Sequence, residues 1–169
     1  IVAALAGHER LLLLGGPDTP AVLPDGVSLV RLPPLAMDAD FQALTLAGTA
    51  LAAAKADRRA MLLSALNEFS PDVFFVELYP FGRKAFEFEL IPALTAARAG
   101  RFGLCRTVCG VRDILVEKTD QSAYEARVLE RLARYFDAVC VHADPELFPL
   151  SATFARAGDI AVPVVHTGY

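Results

Sequence analysis

The sequence has no tryptophan, two methionines and three cysteines among 169 residues. Cys105, Cys109 and Cys140 are an odd, sparse set on apolar segments, a pattern that argues against a disulfide framework; buried thiols and a reducing, cytoplasmic setting are expected. Long hydrophobic runs are missing as well. The longest, Ala43 to Ala54, covers about 12 residues with Thr45 and Thr49 inside it, short of the ~18–20 that a membrane span needs. Runs of one charge are absent: 16 Lys and Arg stand against 20 Asp and Glu, a net charge of −4, so the basic footprint of a nucleic-acid binder is lacking. Neither a G-x-S-x-G elbow, nor H-E-x-x-H, nor a Walker loop, nor a complete G-x-G-x-x-G occurs, which weakens hydrolase and simple nucleotide-loop readings. Cys105-x3-Cys109 has no second Cys or His pair at zinc spacing, so no metal is implied.

What the chain does have is apolar mass. Hydrophobic residues make up 54%, enough for one domain over residues 1–169 with a core large for its size. Short apolar runs alternate with longer helical patterns, the signature of an α/β chain with an open parallel sheet and helices on both faces. Strands are expected at Arg10–Leu14, Val27–Leu32, Val73–Leu78, Phe102–Cys109, Ala138–His142 and Ala161–His166. Helices fit Phe41–Phe69, Lys84–Arg98, Asp120–Phe136 and a short piece after Pro145. Asp57-Arg58-Arg59 is expected to divide or kink the first helix, since about 29 residues would span ~43 Å. The stretch Leu44–Ala54 is apolar enough for peripheral membrane contact, although its pattern reads more simply as a core helix. The apolar stub Ile1–Leu5 before Gly7, and a Val-rich strand ending in Thr167-Gly168-Tyr169, suggest a fragment that has lost an initial strand and continues further.

In an open parallel sheet, ligands bind beyond the carboxyl ends of the strands, so the polar residues following each strand carry the functional question. Gly15 and Gly16 form a strand exit that is either a plain turn or a ligand-facing loop. Glu77 ends an all-apolar strand, where an unpaired charge is costly to desolvate. It either pairs with Arg83 or Lys84, or accepts hydrogen bonds from substrate hydroxyls and draws a proton from one. In the second case Phe81 packs on an apolar part of the substrate and a helix starting after Gly82 receives an anion. Arg112 is suited to a bidentate carboxylate or phosphate contact, with Asp113 either holding it or capping a helix. His142 ends its strand as a cleft residue or as a histidine satisfied by backbone, and Asp144 before Pro145 reads as a helix cap.

The run from Pro71 to Leu94, PDVFFVELYPFGRKAFEFELIPAL, followed by CRTVCGVRDIL, YFDAVCVHADPELF and a closing HTGY, resembles a bacterial group of predicted glycosyltransferases. That group is similar to the GlcNAc transferase of peptidoglycan synthesis, which acts on an undecaprenyl-linked muramyl acceptor. The resemblance implies the N-terminal, Rossmann-like, acceptor-side domain of a GT-B fold. The nucleotide-sugar donor would be held by a second domain outside this sequence, and no metal or cofactor would be needed. Glu77 and His142 become the catalytic candidates, and Phe81, Gly82, Arg83, Arg112, Asp113, Gly15 and Gly16 the substrate-binding ones. Without its Gly-rich first loop and the donor domain, the fragment is expected to be inactive alone. A sugar-nucleotide 2-epimerase half and a non-catalytic α/β ligand-binding module are the alternatives.

Overall fold

The computed structural model describes residues 7–15, 23–35, 48–112, 115 and 118–168. The chain is α/β, and among the described residues its strands all pair in parallel, in two sheets. It divides into two compact units, Ile1–Ser70 with Glu87–Ala93, and Pro71–Phe86 with Leu94–Tyr169.

In the first unit, β1 (Arg10–Leu14) pairs with β2 (Val27–Arg31), Leu12 lying opposite Leu29. The helix α1 (Gly48–Phe69) buries Arg58, Leu62 and Leu66, a stripe that repeats every four residues along one face. The expected break at Asp57-Arg58-Arg59 is absent: α1 runs through it, because Arg58 turns inward while Asp57 and Arg59 bracket it. Towards its start, Ala50, Ala52 and Ala53 are exposed, so this part of the apolar stretch is not core. The part of the expected helix before Gly48 lies outside the described residues. α1 closes on Ser70 at φ 49°, whose N–H donates to the Leu66 carbonyl at 2.9 Å, and Pro71 cannot extend the helix.

The second unit holds the sheet β3 (Val73–Glu77), β4 (Arg106–Val111), β5 (Ala138–Val141) and β6 (Val164–His166), in that order. Among the described residues the strands thus form one two-stranded and one four-stranded sheet, both parallel as expected. Parallel partners share a face, and Phe74, Val76, Cys109, Val111, Val139 and Val141 form the buried one. α2 (Glu87–Arg98), whose first part, Glu87–Ala93, belongs to the first unit, follows a single 3₁₀ turn at Lys84–Phe86, and ends where Gly100 at φ 74° lets the Arg101 N–H reach the Ala96 carbonyl at 3.0 Å. α3 (Gln121–Tyr135) is capped by the Asp120 carboxylate, which accepts from the Ala123 N–H at 3.0 Å. It lays Tyr124, Val128 and Leu132 inward. Glu125 is buried as well, accepting from Gln121 Nε2 and the Ala155 N–H. Two further expectations shift. Phe102 sits in a turn before β4, since Gly103 at φ 84° interrupts the apolar run; after Pro145 there is a turn on Asp144 and a 3₁₀ segment at Leu150–Ala152 instead of an α-helix.

At the amino edge of this sheet, Asp137 gathers the Thr107 N–H (2.8 Å), the Thr107 hydroxyl (3.1 Å) and Arg98 Nη1 (2.8 Å). Partial burial opposes its ionisation, but the Thr107 N–H, the Arg98 guanidinium and the Thr107 hydroxyl together outweigh burial and hold the carboxyl below its ordinary value. A carboxyl depressed in the folded state contributes stability that is complete above the unfolded value of about 3.9 and is lost as pH falls through the folded one. Asp137→Asn is therefore expected to cost about 1.5–3 kcal/mol at neutral pH in urea denaturation, and the gap to the parent should narrow as pH drops below about 4.

Candidate functional site

β3, β4, β5 and β6 all deliver their carboxyl ends to one edge, and the expected polar residues collect there. Glu77, the last residue of β3, is in register with Gly110, and Arg112 follows β4 by one residue. Glu77 Oε1 and Arg112 Nε lie 2.9 Å apart. The expected local partners, Arg83 and Lys84, are not the ones that take the charge: the partner comes from the neighbouring strand. The Arg112 side chain is 61% exposed, and an ion pair this wet contributes about 0–1 kcal/mol. It orients the carboxylate more than it stabilises the fold.

Side-chain alternation puts Phe75, Glu77, Gly110 and Cys140 on the face opposite the buried one. His142, one residue beyond β5, joins them: its ring lies 6.1 Å from that of Phe75, centroid to centroid, at 34°. Its backbone N–H donates to the Val111 carbonyl at 2.8 Å, and Nδ1 is 2.7 Å from the Thr167 hydroxyl, one residue beyond β6. The hydroxyl lies 3.5 Å from the Val141 carbonyl. Nε2, on the other side of the ring, is buried with no hydrogen-bond partner among the described residues.

Leu78, directly after Glu77, has φ 67°, a left-handed conformation costly for a branched side chain. Its N–H donates to Gly110 O and its carbonyl accepts from the Gly82 N–H, both at 2.7 Å, so the chain reverses tightly behind the carboxylate. Phe81 does not offer its ring to a ligand. It is 2% exposed and packs edge-on against Phe154 at 5.2 Å, while its carbonyl accepts from the Tyr124 hydroxyl at 2.9 Å. Burial pushes the Tyr124 phenol up to about 12, only partly opposed by Arg127, so it remains a neutral donor. Gly82 packs against Leu78, and no α-helix opens immediately after it. α2 begins only at Glu87, and Glu89 in its first turn is buried and paired with Arg58. Arg83 is exposed, at φ 56°, on the loop that follows. Asp144 serves its own turn, accepting from the Glu146 N–H at 2.9 Å.

Gly15 belongs to the first unit, where a Cβ on it would overlap the Arg58 guanidinium; it makes room for that group. Gly16 and Asp113 lie outside the described residues. Burial raises all three thiols, most strongly at Cys109, where the Glu77 charge adds to it, so none is poised as a thiolate nucleophile. Among the described residues no three His, Cys, Asp or Glu side chains cluster as metal ligands, and no helix is long and apolar enough to cross a membrane.

Sequence reasoning missed Gly110, Phe75 and Thr167. The register that brings them beside Glu77 and His142 is a property of pairing, not of spacing along the chain. Gly110 has no left-handed φ to explain it, but a Cβ there would overlap the Phe75 ring and stand 3.0 Å from Glu77 Oε2. Gly110→Ala is expected to lose about 1–3 kcal/mol through overpacking. The same change made in a Phe75→Ala background should cost clearly less, a coupling that a double-mutant cycle in urea reads directly.

Comparison with protein-family models, curated proteins and solved structures finds no match.

Proposed function

We propose that this chain is the Rossmann-like, acceptor-side part of a GT-B glycosyltransferase, which transfers a sugar from a nucleotide-sugar donor to an acceptor hydroxyl. The observation that carries the reading is the placement of Glu77, Arg112 and His142 on one face of one carboxyl edge, where an open parallel sheet binds its ligands. The left-handed Leu78 directly behind Glu77 favours a functional edge over a plain loop, because strain of this kind persists where surrounding structure enforces it.

In this reading, the acceptor hydroxyl hydrogen-bonds to Glu77 while Arg112 holds the carboxylate in place. As the acceptor oxygen forms its bond to the anomeric carbon, its proton passes to Glu77 and the bond from that carbon to the nucleoside diphosphate breaks. His142, its Nδ1 beside the Thr167 hydroxyl, lines the edge next to this pair. The donor is bound by a second domain. Phe81 and Gly82 support the loop from behind, while Arg83 is exposed and able to meet the acceptor.

In the full-length protein carrying this chain, Glu77→Gln is expected to lower kcat/KM for sugar transfer by about 10²–10⁴-fold, measured with radiolabelled donor and a hydroxyl-bearing acceptor. Transfer within about threefold of the parent would exclude Glu77 as the base. Consumption of donor with no acceptor product would favour the epimerase reading.

A further inference from the structure

Directly after Glu77 the chain leaves β3 and turns into the core of the second unit. Tyr79, Pro80 and Phe81 are all buried, yet they belong to no helix or strand, so their carbonyls need donors from elsewhere. Those donors come from α3. The Tyr124 hydroxyl donates to the Phe81 carbonyl at 2.9 Å, and Arg127 Nη1 to the Pro80 carbonyl at 3.5 Å. Three residues apart on a helix, the two side chains share one face. Tyr124 is itself held in place: it is 7% exposed, its ring stands edge-on to Phe154 at 6.2 Å, and the Arg127 guanidinium lies over it at 5.8 Å. Phe154 meets the Phe81 ring as well, so hydroxyl and ring contacts fix the same residue. Left-handed residues flank this segment, Leu78 at φ 67° and Arg83 at φ 56°, and neither is a glycine. The Leu78 conformation persists only while its neighbours enforce it. Its N–H is pinned to Gly110 O, and its carbonyl to the Gly82 N–H, which directly follows the residue that Tyr124 holds. All of these residues lie within the second unit.

We propose that Tyr124 is a positioning residue for Glu77: its hydroxyl, by holding the Phe81 carbonyl, keeps the left-handed turn at Leu78 closed and so aims the Glu77 carboxylate at Arg112. That this carboxylate serves a sugar acceptor rests on the function proposed above; the hold on the turn does not. A tyrosine that only filled the core would be replaceable by phenylalanine, which keeps the ring against Phe154. A positioning tyrosine is not, because phenylalanine leaves the buried Phe81 carbonyl without its donor.

The test is Tyr124→Phe in the full-length protein, alone and combined with Glu77→Gln. In the single variant, amide exchange at Gly82 is expected to quicken by about tenfold or more, while Val128 and Leu132, further along α3, stay within about twofold. The Arg112 Nε–H resonance should shift as its pairing with Glu77 loosens. In the transfer assay, kcat should fall by about tenfold with acceptor KM within about threefold, since the change disturbs aim and removes no contact with the acceptor. Added to Glu77→Gln, the same substitution should cost less than about twofold in kcat, because a residue that acts through Glu77 then has nothing left to act on. Unchanged exchange at Gly82 or an unmoved Arg112 resonance overturns the proposal. Equal acceleration at Gly82, Val128 and Leu132 also overturns it, reporting a loosened helix. So does a kcat that stays at the parent value, or a tenfold loss that persists in the Glu77→Gln background, either of which leaves a structural tie. If the unmodified full-length protein transfers no sugar, the function proposed above fails, and the Gly82 and Arg112 signals still decide the role of Tyr124.

Discussion

Strands that run the same way hydrogen-bond with their carboxyl ends on one edge, and the candidate site of the second unit follows from that constraint. Glu77, Arg112, His142 and Thr167 are spread over most of the chain beyond Pro71, yet each stands at or one residue beyond the end of its own strand. Register then pairs them: Glu77 sits opposite Gly110, the next side chain on that face is Arg112, and His142 continues the row over β5. An antiparallel sheet of the same strands would send alternate members to opposite ends.

Charge is handled differently at the two edges of this sheet. At the amino edge, Asp137 is partly buried and saturated with donors from Thr107 and Arg98, an arrangement that fixes strand ends and leaves little capacity for a ligand. At the carboxyl edge, the Glu77–Arg112 pair is half in solvent, and beside it a His142 ring nitrogen has no hydrogen-bond partner among the described residues. One edge is closed by its hydrogen bonds; the other keeps polar groups in reserve. The first unit repeats the closed solution with Arg58 and Glu89, where hydrogen bonds from the guanidinium to the Glu89 carboxylate and to the Gly15 and Pro33 carbonyls offset its removal from water.

Much of this architecture was legible in the sequence, because apolar runs of strand length between helical patterns have few other solutions. β1 has the bounds its Leu run indicates, and β2, β3 and β5 differ by a single residue at their ends. β4 was harder. Phe102 is as apolar as Leu104 and Val108 further on, and the conformation of Gly103 shows that the strand starts later. The charged triplet in α1 misled for a physical reason: three adjacent charges suggest solvent, but on a helix the middle one can face inward if a counter-charge awaits it, and Glu89 lies 31 residues away. Phe81 looked like a ligand platform because an aromatic after a strand end often is. Its partners, Tyr124 and Phe154, arrive from distant parts of the chain. The residues that end strands could be named from sequence; the contacts between them required the register.

The central claim is that small hydroxylated ligands meet this protein at the carboxyl edge of β3, β4 and β5. It is tested most directly by titrating free monosaccharides at millimolar concentration into isotope-labelled protein and following backbone amide shifts. The account predicts perturbations grouped on Glu77, Leu78, Gly110, Arg112, His142 and Thr167. Shifts confined to the amino edge around Asp72, Arg106 and Asp137, or none on either edge with every sugar, would contradict it.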